Sequence, residues 1–162
     1  MNQLCSIRRA RATDLPSIYV GELDYIRQIE PEQEARWKDG MRFHLKQWTN
    51  DLDRMFIAEC ADGAEGADPQ VGYCFWEVHG EAAVLASIYV TPQRRGSGLG
   101  QQLLARFIAD AQAQGFSKLT LGVKADNPAR RLYEKAGFVY THDEHGYRHY
   151  LYSMSPVDEM RQ

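Results

Sequence analysis

A basic, glycine-rich turn between Val90 and Gly100 carries the residue types that bind phosphate. Its sequence is VTPQRRGSGLG, and it joins the apolar run that starts at Val84 to an amphipathic helix. Backbone N–H groups and the positive end of a helix attract anions at such a junction. Glycines let the main chain approach a ligand closely, and Arg94 and Arg95 add charge-assisted hydrogen bonds. The turn therefore predicts a site for pyrophosphate or a similar polyanion.

Two better-known phosphate loops do not fit this turn. A dinucleotide-binding fingerprint needs a glycine three positions after Gly98, where Gln101 stands. A P-loop needs a Gly-Lys pair, and the chain contains none. The alternatives left are a different phosphate ligand and a glycine-rich turn that merely ends a strand.

A second segment, residues 127–138, has the signals of a short helix that presents a phenol. Asn127 suits the N-cap, Pro128 the first helical position and Gly137 the left-handed position after the helix. Three apolar residues recur at helical spacing and can face a core: Ala129, Leu132 and Ala136. Tyr133 is turned about 100° from this face, so its side chain can face a cleft.

Together, the two segments resemble the GCN5-related N-acetyltransferase (GNAT) superfamily. The turn has the pattern Q-x-x-G-x-G, and the helix has the pattern N-x-A-x-x-L-Y-x-x-x-G-F. The resemblance implies that acetyl-CoA is the cosubstrate and that the turn holds its pyrophosphate; no metal is expected, because the cysteines and histidines lack metal-ligand spacing. It implies cofactor binding by residues of the strand end, the turn and the helix: Ile88, Tyr89, Val90, Gln93, Arg94, Arg95, Gly96, Ser97, Gly98, Leu99, Gly100, Asn127, Arg130 and Tyr133.

The resemblance further implies that an amine attacks the acetyl group directly within a ternary complex. The strand ending at Val90 would diverge from the strand that starts at Lys118. Main-chain N–H groups near Ile88 would then hold the thioester carbonyl and stabilise the developing oxyanion. Tyr133 is the candidate general acid, because a phenol carries a proton that the leaving thiolate can take. The alternative is an aromatic ring that only packs against the cofactor.

A general base is also needed, because a primary amine with a pKa near ~10 is mostly ammonium at neutral pH. Glu77 and Glu81 are the candidates on the neighbouring strands, with His79 third. Alignment on the glycine turn places Ala82 where one branch of the family carries its base, so Glu81 would need a one-residue bulge. The alternative for both carboxylates is a solvated hairpin.

In this family the acceptor contacts the first two helices and the last hairpin, and its identity stays open. Residues 21–40 include six acidic side chains, which would attract a cationic amine, although a solvated helix face is favoured. Five aromatic residues are candidates for an acceptor pocket or for the core: Tyr25, Trp37, Trp48, Phe75 and Trp76. The leading prediction is an N-acetyltransferase acting on a small-molecule amine. A protein acetyltransferase and a non-catalytic acyl-CoA-binding module are the alternatives.

Length and composition indicate one ordinary globular domain. The chain has 162 residues, 44% of them hydrophobic and 25% charged, and a formal net charge of −3. We expect a single domain over residues 1–155 and a tail at 156–162. The net charge disfavours nucleic acid as a partner, and no apolar run is long enough for a membrane helix. The N-terminus lacks the apolar region of a signal peptide, so a cytoplasmic protein is expected.

Three cysteines fit reduced core thiols better than a disulfide framework, because their number is odd: Cys5, Cys60 and Cys74. The histidines of the last hairpin lack a firm metal-ligand spacing. A homodimer through sheet edges, common in the family, is left open.

The elements that must position these residues follow the order β-α-α-β-β-β-α-β-α-β-β. They predict an α+β protein with a mixed, α/β-type sheet, which is the acyl-CoA N-acyltransferase (GNAT) fold. Helices are predicted at about 15–27, 32–48, 99–114 and 128–136, with a break near Pro31. Strands are predicted at about 4–8, 55–60, 71–78, 84–90, 118–123, 138–142 and 147–153, with an exposed loop at 61–70.

Overall fold

One mixed β-sheet of seven strands organises the computed structural model, which describes residues 5–63, 66 and 68–153. The strand order is β1-β2-β3-β4-β5-β7-β6. Strands β4 and β5 run parallel, and the other neighbouring pairs run antiparallel. The strands are β1 (Cys5–Arg9), β2 (Met55–Cys60), β3 (Gln70–His79), β4 (Ala82–Val90), β5 (Lys118–Lys124), β6 (Val139–Glu144) and β7 (Tyr147–Ser153). The predicted α+β class with a mixed sheet is confirmed.

Helices cover both faces of this sheet. Within the described residues they are α1 (Leu15–Ile29), α2 (Glu34–Asp39), α3 (Met41–Asn50), α4 (Leu99–Ala113) and α5 (Arg130–Ala136). Successive residues of a strand point to opposite faces, so β2 and β3 contribute to two separate cores. Phe56 and Cys74 pack with α4 and α5 in the larger core. Met55 and Tyr73 pack with α1 and α3 in the smaller one.

The second predicted helix is in fact two helices, α2 and α3, because the chain breaks at Gly40. Glycine has a low intrinsic helix preference, and the Gly40 N–H bonds to the Trp37 carbonyl at 3.1 Å, which closes α2. Helix α3 then starts at Met41. The predicted break near Pro31 is confirmed, since Pro31–Gln33 form a short 3-10 turn between α1 and α2.

Cys5 and Cys60 form a disulfide, so the prediction of reduced thiols was wrong for this pair. The two residues lie directly opposite each other in the β1–β2 register, although 55 residues separate them in sequence. Local spacing cannot show which residues a sheet places opposite each other. Cys74 is a buried free thiol, as predicted, and desolvation raises its pKa.

The parallel strands β4 and β5 separate soon after they begin. In the described residues they pair at three positions, from Ala82 opposite Lys118 to Val84 opposite Thr120. From Leu85 onward the edge of β4 faces a gap instead of a strand. The register of β3 against β4 shifts at the same point, which leaves Ala86 as a bulge. Bulges of this kind increase local twist and re-aim side chains. The predicted divergence of β4 from β5 is confirmed by their short pairing.

The tail expected at 156–162 lies outside the described residues. Among the residues that are described, no helix is both long and apolar enough to cross a bilayer.

Candidate functional site

A cavity of about 860 Å³ occupies the gap between β4 and β5, and we call it the β4–β5 cleft. Its walls are Leu85–Val90 of β4, Leu121–Val123 of β5, the glycine turn, the start of α5 and one side of α1. This volume is in the range of ordinary small-molecule sites. The cleft therefore joins both motifs that the sequence singled out.

The glycine turn closes the outer end of the cleft. Gly96 and Gly98 have φ values of 80° and 92°, a left-handed conformation that side chains with a Cβ rarely adopt. Gly98 immediately precedes α4, whose first-turn N–H groups have no partner within the helix. These features make the turn a suitable cradle for an anion.

The two arginines of the turn are held in place by other groups of the protein. Arg94 forms an ion pair with Asp62 in the loop after β2. Arg95 donates a hydrogen bond from Nε to the Val90 carbonyl at 2.9 Å, and its guanidinium lies over the Tyr89 ring. Both side chains thus stay at the cleft with fixed directions, and their charge contributes to the potential at the turn.

Most of the predicted cofactor residues lie together along the cleft. Those that line it are Ile88, Tyr89, Val90, Arg94, Arg95, Gly96, Ser97, Gly98, Gly100, Asn127 and Tyr133. Three others do not line it. Leu99 is buried in the larger core, Gln93 lines a second pocket beside α1, and Arg130 stands at the first position of α5.

Helix α5 begins at Arg130, two residues later than predicted, because Pro128 and Ala129 form a preceding turn. The Asn127 side chain nevertheless accepts a hydrogen bond from the Ala129 N–H at 2.9 Å. This bond fixes the start of the segment. The predicted left-handed residue after the helix is confirmed, since Gly137 has a φ of 108°.

Tyr133 lies on the wall of the cleft and is only 6% exposed. Desolvation by burial is the main cause that raises its pKa, with smaller contributions from Tyr25 and Cys74. A phenol is protonated at neutral pH even at its ordinary pKa, and this shift leaves it so. The side chain can therefore donate a proton or a hydrogen bond into the cleft.

Glu77 and Glu81, the predicted bases, stand at the closed end of the strand pair. Glu77 lies opposite Val84, where β4 still pairs with β5, and its carboxylate contacts His79 at 3.0 Å. Glu81 is exposed in the turn between β3 and β4. The bulge of β4 is at Ala86 and does not bring Glu81 inward. Neither carboxylate lines the cleft.

Glu22 of α1 does line the cleft, and sequence analysis did not single it out as a base. Its carboxylate accepts hydrogen bonds from the Ser87 hydroxyl at 2.7 Å and from the Tyr73 hydroxyl at 2.9 Å. Desolvation raises its pKa to about 6, although both hydrogen bonds act in the opposite direction. A carboxylate of this kind changes its protonation state close to neutral pH.

Helix α1 can bring Glu22 so close to the sheet because the preceding residue is glycine. A Cβ on Gly21 would lie 2.5 Å from the ring of Tyr73. The sequence did carry a signal for this placement. Glu22 stands four residues from both Ile18 and Ile26, on the stripe that α1 buries.

Two other acidic residues, one on α1 and one directly after it, are tied to the rim of the cleft. Asp24 accepts a hydrogen bond from the Tyr89 hydroxyl at 2.6 Å, and Glu30 accepts one from the Tyr147 hydroxyl at 2.7 Å. Glu34 of α2 is instead in a surface ion pair with Arg27, as a solvated helix face would be. The acidic segment is thus partly rim and partly ordinary surface.

The candidate aromatic residues divide between pocket and core. Tyr25 lines the cleft, and burial raises its pKa to about 12. Trp48 and Phe75 are buried in the smaller core, with Trp37 packed against it, while Trp76 is in the larger core. The residue types alone do not distinguish the pocket member from the core members.

Comparison with known sequences gives a consistent result. The sequence model of the acetyltransferase (GNAT) family matches residues 23–138. A mycothiol acetyltransferase from Thermobispora bispora is 31% identical over 156 residues, which covers 83% of this chain and 53% of that protein. The ribosomal protein bS18-alanine N-acetyltransferase of Haemophilus influenzae is 35% identical over 68 residues, which covers 42% and 47% respectively. This chain therefore spans about half the length of these curated relatives.

A solved structure shows the same fold. The PaiA N-acetyltransferase of Thermoplasma acidophilum, in complex with coenzyme A, has a TM-score of 0.68 to this chain at 15% identity. The match covers 93% of this chain and 99% of the other. At that identity the likeness concerns the fold alone.

Proposed function

The chain belongs to the acetyltransferase (GNAT) family, and from this we propose that it transfers the acetyl group of acetyl-CoA to a primary amine within a ternary complex. The observation that carries the proposal is the β4–β5 cleft, with an anion cradle at its outer end and the buried phenol of Tyr133 on its wall. A donor that combines a pyrophosphate with an extended arm and a thioester matches this arrangement.

Two features of the cleft suit acetyl-CoA. Gly96 and Gly98, together with the start of α4, offer main-chain N–H groups and a positive helix end to a pyrophosphate. Beyond Val84, the edge of β4 that faces β5 has no strand partner in the described residues. Its main-chain groups are available to pair with the pantetheine arm and to hold the thioester carbonyl near Ile88.

Tyr133 is proposed as the general acid that protonates the leaving thiolate. Its hydroxyl is protonated at neutral pH, as that of a phenol ordinarily is, and it lies on the wall of the cleft. Proton transfer from a positioned acid typically contributes 10²–10⁴-fold, roughly, to the rate. No metal is assigned a role. Among the described residues, Cys5, Cys60 and Asp62 are the one group of three possible metal ligands whose ligand atoms lie within reach of each other, and the disulfide occupies both sulfurs.

We propose a small molecule as the acceptor, and a protein amine as the alternative. The relative from Thermobispora bispora is named for mycothiol, and the relative from Haemophilus influenzae for an alanine of a ribosomal protein. The small molecule is favoured by the position of Glu22, which lines the cleft beside the sheet and not the outer surface.

Release of CoA from acetyl-CoA tests the proposal. The assay uses a thiol reagent and a panel of polyamines, amino acids, aminoglycosides and short peptides, with calorimetry to measure acetyl-CoA binding. We expect amine-dependent turnover with at least one small amine. Turnover of peptides alone would replace the small molecule by a protein acceptor. Tight acetyl-CoA binding without turnover of any amine would overturn the enzymatic proposal in favour of a binding module.

A further inference from the structure

We propose that Glu22 receives the ammonium group of the acceptor and takes its proton, a role that rests on the acetyl transfer proposed above. The acceptor would accordingly be a cation at neutral pH. The base would then come from α1, on the acceptor side of the sheet, and not from the β3–β4 hairpin.

The two faces of the sheet separate the proton acceptor from the proton donor. Glu22 belongs to α1, which packs over the face that carries Tyr73 and Phe75. Tyr133 belongs to α5, which packs with α4 over the opposite face. The cleft is the gap in the sheet between β4 and β5, and both side chains line it. An amine held by Glu22 would therefore approach a thioester in the gap from the side opposite to the phenol.

The surroundings of Glu22 leave its charge available for a ligand. The hydroxyls of Ser87 and Tyr73 both donate to one oxygen, Oε2. The titratable groups that face it are Tyr73 on β3 and Tyr25 on α1, and both have raised pKa values, so both are neutral near pH 7. No lysine or arginine contributes to its pKa, which desolvation raises to about 6. The carboxylate is thus ionised and without a cationic partner in the described structure.

Other charges near the cleft are already paired. Arg95 approaches Asp24 at 3.9 Å, and Lys124 approaches Glu30 at 4.0 Å. Within the described residues, Glu22 is the one acidic side chain that lines the cleft. A bound ammonium would satisfy the buried charge, and such an arrangement favours the ionised carboxylate.

The proposed step balances protons and bonds. The Glu22 carboxylate removes one proton from R–NH₃⁺, which leaves a neutral amine and a carboxylic acid. The amine lone pair forms the new C–N bond as the C–S bond breaks. The thiolate takes a proton from Tyr133, the nitrogen loses its second proton to solvent, and Tyr133 recovers one from solvent. Glu22 then releases its proton to solvent, so the net products are the amide, CoA thiol and one proton.

A matched pair of amines tests this role. Ethylamine is almost entirely ammonium at neutral pH and needs a base, whereas 2,2,2-trifluoroethylamine is largely neutral because its fluorines withdraw electrons. We would measure kcat/KM for both, and for the amine found by the panel, with wild type and Glu22→Gln. Glu59→Gln is the control, because it removes a hydrogen-bonded carboxylate on β2 that does not line the cleft. Thermal unfolding and acetyl-CoA binding verify that each variant folds.

The expected result is a selective loss. Glu22→Gln lowers kcat/KM for ethylamine and for the panel amine by about 10²-fold or more. It leaves kcat/KM for trifluoroethylamine unchanged within error. It also removes the rise of kcat/KM through about pH 6 that wild type shows. Equal losses for both amines, or no loss for either, would overturn the role of Glu22 while acetyl transfer stands. If wild type acetylates no amine at all, the proposed function fails and the base falls with it.

Discussion

Replacing Glu22 by glutamine should stabilise the folded protein above about pH 6. Burial raises the pKa of this carboxyl from 4.5 to about 6, so the native state holds the proton more tightly than the unfolded chain does. The native state binds more protons between these values, and the free energy of unfolding therefore falls as pH rises through them. The contribution of Glu22 is fully present below about pH 4.5 and fully lost above about pH 6.

The size of this effect follows from the pKa difference. The change from 4.5 to about 6 corresponds to about 2 kcal/mol. The glutamine amide is uncharged, and its oxygen can still accept the hydrogen bonds from Tyr73 and Ser87. We therefore expect Glu22→Gln to be more stable than wild type by up to about 2 kcal/mol near pH 8, which raises the melting temperature by roughly 4–8 °C.

Urea unfolding followed by tryptophan fluorescence measures this difference at several pH values between 4.5 and 8. Glu59→Gln is again the matched control. It removes one of the two carboxylate partners of Arg8, whose Nε lies 2.9 Å from Glu59 and whose Nη1 lies 2.8 Å from Asp14, so it should not stabilise the protein at any pH. The reasoning is refuted if the stability of Glu22→Gln relative to wild type does not grow between pH 4.5 and 8, or if it changes in the opposite direction.

Four further variants test other parts of the structure. Gly98→Ala should weaken acetyl-CoA binding in calorimetry, because φ at this position is 92°; Gly115→Ala, with a φ of 95° at the far end of α4, is the matched control, and equal affinities would contradict the cradle. Tyr133→Phe should lower kcat by roughly 10²–10⁴-fold at unchanged acetyl-CoA affinity, and a wild-type kcat would exclude the general acid. Ser87→Ala removes a hydrogen bond that lowers the pKa of Glu22, so kcat/KM should rise at a higher pH than in wild type; an unshifted profile would contradict this. Cys5→Ser opens a disulfide that closes a segment of 55 residues. In non-reducing urea titrations its free energy of unfolding should therefore be about 4 kcal/mol below that of wild type. Under reducing conditions the variant and wild type should be equally stable.

Sequence predicted the parts of the cleft that depend on local chain chemistry. Gly137 after α5 adopts the left-handed conformation predicted for it, and the glycine turn lies directly before α4, as its sequence indicates. The divergence of β4 from β5 was an implication of the family resemblance, and the register confirms it. These features depend on residues that are close in sequence or on a shared fold.

Sequence did not predict the features that depend on distant parts of the chain. Cys5 and Cys60 face each other only because β1 and β2 pair in one particular register. Glu22 meets Ser87 across 65 residues, because α1 lies against the sheet at Gly21. The spacing of Glu22 between Ile18 and Ile26 was visible in the sequence. A carboxylate on a buried helix stripe is uncommon and indicates a polar partner or a ligand at that position.

The pleat of β4 divides the site between the two faces of the sheet. Ser87 and Tyr89 point toward α1, where their hydroxyls bond to Glu22 and Asp24. Ile88 and Val90 pack on the other side, with the core of α4. Because the bulge at Ala86 switches the alternation, this division holds only beyond it: substitutions at Ser87 would alter the surface next to α1, while Ile88 and Val90 keep their packing against the core of α4. Under the proposed function, acceptor and donor contacts lie on opposite faces of one strand, and Tyr89 links them because Arg95 of the glycine turn lies over its ring.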